Sequence, residues 1–76
     1  MDKEEAYEKI IEIARAARDS GTIIRFGTLY EYLLDNDINA GNNRGAANMV
    51  RAAFNRCDND DDRDAFFEVF RNINFQ

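Results

Sequence analysis

Residues 44–57 constrain this chain more than any other stretch, because two chemically opposite stripes share one helical period. The apolar residues Ala46, Met49, Val50, Ala53, Phe54 and Cys57 stand at steps of mostly three and four, which sets them along one side of an α-helix. Arg44, Asn48, Arg51 and Asn55 repeat at the same steps and, at about 100° per residue, fall nearly opposite. Such a helix has to bury one side against a small core and turn the other outward. The outward side offers two guanidinium forks and two carboxamides, with no Asp or Glu between Arg44 and Arg56. The plainest reading of a polar stripe is a solvated face, and the rest of the chain has to decide whether it is more.

A first helix is expected from about Asp2 to Asp19. Ala6, Ile10, Ile13, Ala14 and Ala17 form its apolar stripe, with Tyr7 and Ile11 on the flanks. Asp2, Glu4 and Glu5 at its start and Arg15 and Arg18 at its end suit the helix dipole, and Gly21 is a natural stop. Thr22-Ile23-Ile24-Arg25-Phe26 is β-branched and aromatic and too short for a helix, so a short strand is expected near 22–26. Thr28 and Glu31 have the spacing of a capping box, opening a second helix that carries Leu29, Tyr32 and Leu33 to about Leu34 or Asp35. Asn36 to Asn43 has the composition of a loop, longer than a minimal helix-turn-helix turn.

After the third helix, 58–64 reads as a solvated acidic loop. The C-terminal segment admits two structures. Phe66, Val69, Phe70 and Ile73 stand at helical spacing, which favours a helix. As a strand, residues 65–70 would instead supply the partner that a lone strand at 22–26 needs. The fold class expected is therefore mostly α, a small helix-turn-helix or winged-helix-like domain spanning residues 1–76. Ile10, Ile13, Leu29, Leu33, Met49, Val50, Phe54, Phe66 and Phe70 are its expected core.

Composition narrows the chemistry. The chain has no histidine and a single cysteine, which disfavours a zinc site or a His-based catalytic pair. Cys57 lies on the apolar stripe and reads as a core residue. No apolar run approaches the roughly 20 residues of a membrane span, and no signal peptide pattern opens the chain. A reducing cytoplasm is the expected setting. Asp58, Asp60, Asp62 and Asp64 have the rhythm of a calcium loop, but its sixth and twelfth places hold Arg63 and Val69 instead of Gly and Glu. Asp35-x-Asp37-x-Asn39 fails likewise, and Gly41–Gly45 lacks the ending of a phosphate loop. No enzyme activity, cofactor or metal is expected.

DNA is the partner that the polar stripe suggests, since Arg pairs bidentately with guanine and Asn with adenine in the major groove. The formal net charge of −5 argues against nucleic acid, but residues 44–57 sum to +3 while 58–64 sum to −4. The positive charge sits on the candidate reading helix. The alternative is an acidic protein–protein interaction module: an adaptor, an inhibitor, a nucleic-acid mimic or a homodimer. It would use exposed aromatics such as Tyr7, Tyr30, Phe67 and Phe75 together with the 58–64 acidic loop.

The order helix, strand, helix, loop, helix resembles a winged helix-turn-helix domain. Gly21-Thr22-Ile23-Ile24-Arg25-Phe26 with Leu29 is similar to the Gly-x-x-x-x-Tyr-x-x-Leu entry of the DNA-binding half of alkylguanine alkyltransferases and alkyltransferase-like proteins. Ala46-Ala47-Asn48-Met49-Val50-Arg51-Ala52-Ala53-Phe54 resembles their recognition helix, Ala-Ala-Arg-Ala-Val-Gly-x-Ala-Met/Leu. In that family the Tyr helps turn a base out and the Arg enters the stack. Here Phe26 and Asn48 hold those places, and the loop between the motifs is about eight residues longer. The resemblance, confined to residues 21–56, implies a groove position for Asn48 and adds Phe26 to the candidate nucleic-acid residues. The Pro-Cys-His-Arg centre is absent, so alkyl transfer is not implied.

Overall fold

The computed structural model describes residues 2–75. Its first helix, α1 (Lys3–Ser20), starts where the Asp2 carboxylate accepts the Glu5 N–H at 2.8 Å. It stops where Gly21 turns left-handed (φ 73°) and donates its N–H to Ala17 and Arg18, the glycine-terminated end that a Cβ would disfavour. The buried side is wider than the expected stripe and takes in Tyr7 and Ile11. Tyr7 is therefore not the exposed aromatic an interaction surface would use. The Arg56 guanidinium lies 4.0 Å above its ring.

Strand β1 (Ile24–Arg25) covers only two of the residues at 22–26. Helix α2 (Phe26–Asp35) starts directly after it, three residues earlier than a Thr28 capping box allows. Thr28 is already inside the first turn, and its hydroxyl donates back to the Arg25 carbonyl at 3.1 Å. Leu29 and Leu33 face the core. The Asn-rich connection that follows is pinned by Ile38, 1% exposed, whose N–H bonds to the Leu33 carbonyl.

Helix α3 (Asn43–Asn55) begins at the Asn42 cap, which accepts the Gly45 N–H. It ends two residues short of the expected 44–57. Arg56 closes it and Cys57 follows, still buried, with its Sγ 3.6 Å from the Ala53 carbonyl oxygen.

Residues 58–64 are not an acidic loop. Asn59 caps α4 (Asp60–Val69) by accepting the Asp62 N–H, and Asp60, Asp61 and Asp62 form its first turn. Carboxylates there meet the positive end of the helix dipole. Each also has a cation: Asp62 pairs with Arg15, Asp61 with Arg18 and Asp60 with Arg63. Asp62 is buried, its carboxylate receiving Nε and Nη2 of Arg15 at 2.7 Å each. The acidic run thus fastens α4 to α1.

The two C-terminal structures that the sequence admitted occur in succession. Helix continues to Val69, then β2 (Phe70–Arg71) pairs in parallel with β1, Ile24 beside Phe70 and Arg25 beside Arg71. The strand near 22–26 gains its partner from Phe70, the last residue of the expected 65–70 strand, and from Arg71 just beyond it. Helix α4 packs on α1, α2 packs on α3, and α3 also touches α1. The nine expected core residues join one cluster, with Met49 and Phe54 only partly buried at its margin. Phe54 stacks on Phe75 at 4.7 Å and meets Phe66 and Phe67 edge-on. Phe75 and Tyr30 are half-buried, while Phe67 remains exposed. The fold is mostly α-helical, and no helix among the described residues is long and apolar enough to cross a membrane.

Candidate nucleic-acid interface

The buried side of α3 is Ala46, Ala47, Val50 and Ala53, mostly small residues that let the helix lie close to α1 and α2. Their small volume fixes which side of α3 points outward. Arg44, Asn48 and Asn55 are exposed and Arg51 is half-buried, the arrangement expected from two opposed stripes.

Gly45 positions the start of the stripe. A Cβ there would overlap the Ala40 carbonyl oxygen, so only glycine lets the incoming loop lie against the first turn of α3. Arg44, the neighbouring residue, is thereby held beside a tightly folded entry.

Arg51 is ordered from two sides. Its Nε donates to the Asn74 carbonyl at 3.0 Å and its Nη1 to Asn48 Oδ1 at 3.2 Å. A guanidinium has five N–H donors, so among the described residues Nη2 and the second Nη1 proton are left without a hydrogen bond and form a fork. Among the described residues Asn48 makes no other side-chain hydrogen bond, which leaves both Nδ2 protons and one lone pair on Oδ1. Arg51 and Asn48 therefore form a linked pair rather than two independent side chains. Arg51 and Asn55, with Asn74 and Phe75, line an open concavity of about 430 Å³. Sequence reasoning missed the part played by residues 74–75, because a backbone carbonyl leaves no trace in residue type.

Phe26 is not drawn into this group. It is the first residue of α2, 37% exposed, and does not line the concavity of Arg51 and Asn55.

The arginines divide into two sets. Arg15, Arg18, Arg56 and Arg63 each pair with a carboxylate. Arg15 is held even more firmly protonated than usual by its hydrogen bonds to Asp62. Among the described residues no carboxylate forms an ion pair with Arg25, Arg44, Arg51 or Arg71. In an acidic protein, the outward side of α3 is thus one of the places where positive charge is left unneutralised. Comparison with known protein families, with curated proteins and with solved structures yields no match to this chain.

Proposed function

We propose that this chain is a small non-enzymatic DNA-binding domain of helix-turn-helix type, acting in a reducing cytoplasm, with α3 as its reading helix. The observation that carries the reading is the outward stripe of α3, whose Arg44 and Arg51 have no carboxylate ion pair among the described residues while Asp60, Asp61 and Asp62 of the acidic run are tied to arginines of α1 and α4. The fork of Arg51, steadied by Asn48 and the Asn74 carbonyl, suits a bidentate contact to guanine. Arg44, at the helix start, suits a phosphate. The winged-helix and alkyltransferase resemblance agrees with the order of the helices and with Asn48 in the groove. Phe26, at the start of α2 and outside the Arg51–Asn55 concavity, enters only through that resemblance.

The test separates those roles. Arg51→Ala should cost about 1–3 kcal/mol on a preferred site and relax preference at one base pair, whereas Arg44→Ala should weaken all sequences alike. The competing reading, a protein-interaction module, draws on Phe67, which is 51% exposed at the edge of the aromatic cluster. Unchanged DNA affinity in both arginine variants would favour it.

A further inference from the structure

The parallel pairing of β1 with β2 does more than close the sheet. Ile24 and Phe70 are register partners and both are buried. Side chains alternate along a strand, so the next pair, Arg25 and Arg71, turns the other way, and both are exposed. Register partners on neighbouring strands stand about 5 Å apart, so the two arginine side chains leave the sheet from adjacent points on one face and line the same concavity. Like charges in that position repel. Every arginine around α4 has a carboxylate to offset it, but these two have none among the described residues. With Ile23 and Asn72 they line an open concavity of about 360 Å³. Asn72 has a left-handed backbone (φ 68°), turning the chain off the sheet toward the segment that reaches Arg51.

We propose that Arg25 and Arg71 form a phosphate-binding clamp. A phosphate offers several acceptor oxygens to two adjacent forks, the geometry guanidinium groups match best, and its charge removes their repulsion. The amino end of α2 adds to the same field, because its cap residue is Arg25 and no acid occupies its first turn. The phosphate comes either from a DNA backbone or from a free phosphate. In the first case the clamp rests on the reading of α3 proposed above and lengthens its footprint. Asn74 lies three positions beyond Arg71, a span of at most about 11 Å, and the Asn74 carbonyl touches Arg51. A duplex presents one charge per ~1.7 Å of its axis, so α3 seated in a groove leaves phosphates within reach of the pair.

The experiment follows the Nε–H resonances of Arg25 and Arg71 in the full chain by NMR. One arm adds inorganic phosphate at constant ionic strength and the other a short duplex. Arg25→Gln/Arg71→Gln and, separately, Arg51→Ala serve as variants. The clamp predicts that both resonances move together in at least one arm. It also predicts that phosphate or duplex raises the melting temperature of the wild type more than that of the double variant. If the duplex is the source, the salt slope of binding falls by about two in the double variant with base preference unchanged. Movement with phosphate alone, with no response to duplex in any protein, leaves the clamp standing and removes the DNA reading. A duplex response that depends on Arg51 but leaves Arg25 and Arg71 unmoved, with no response to phosphate, overturns the clamp and keeps the DNA reading. Silence of both resonances in both arms overturns the clamp outright.

Discussion

Replacing Asp62 by Asn tests how α4 is attached. The carboxylate is 7% exposed and takes two hydrogen bonds of 2.7 Å from Arg15, with a third of 3.2 Å from Asn59 Nδ2. Breaking a fully buried pair costs roughly 3–5 kcal/mol, and losing an exposed one costs about 0–1 kcal/mol. Arg15 is 49% exposed and recovers water when its partner is neutralised, so the lower half of that span applies. Asp62→Asn should therefore cost about 2 kcal/mol at neutral pH, because hydrogen bonds to charged groups contribute about 1.5–3 kcal/mol and water screens this one in part. The pH dependence gives an independent check. The Arg15 hydrogen bonds hold the Asp62 carboxyl below the ordinary carboxylate range, against the opposing effect of burial. A carboxyl whose pKa is lower in the folded than in the unfolded chain stabilises fully above the unfolded value of about 4. That stabilisation is lost as pH falls through the folded value. Urea unfolding followed by circular dichroism, from neutral pH into acid, should show the wild type and Asp62→Asn converging below about pH 4. A neutral-pH difference under about 0.5 kcal/mol, or a gap that stays constant into acid, would refute this account of the joint.

Three further outcomes are expected. Phe54→Ala should cost about 3 kcal/mol by urea unfolding, the low end for a Phe truncation because the ring is only partly buried. Gly45→Ala should lower the melting temperature, since the new Cβ meets the Ala40 carbonyl; Gly27→Ala, with nothing near its Cβ, should raise stability by about 0.5–1 kcal/mol. Cys57 is buried and its thiol is pushed up mainly by that burial, so a thiol reagent should modify it quickly only once the chain is unfolded.

What the sequence discloses follows the range of each signal. Helices α1 and α3 were legible because periodicity, caps and Gly21 lie within a turn or two of the residues they govern. Residues 58–64 were not. Their composition is that of a loop, and what makes them a helix start is the Asn59 cap together with arginines more than 40 residues away in α1. The C-terminal choice between helix and strand was unresolvable locally for a related reason. Val69 ends one and Phe70 begins the other only because Ile24, distant in the chain, accepts a parallel neighbour. Ile38 is a lone apolar residue among Asn and Asp and so gives no periodic signal, yet it anchors the loop. For the candidate site, the identities on the outward stripe were readable from spacing alone. The tie from Arg51 to the Asn74 carbonyl was not, and it is what orients the fork.

The most direct test of the central claim is the affinity of the wild-type chain for random duplex DNA as a function of salt. Contacts from Arg44 and the rest of the outward stripe of α3 should give measurable binding at low salt. The logarithm of the binding constant should then fall linearly with the logarithm of salt concentration, by about 0.9 for each phosphate engaged. Arg44→Ala should lower that slope by about one. No binding at low salt, or binding whose strength ignores salt, would contradict the assignment of α3 as a DNA-contacting helix.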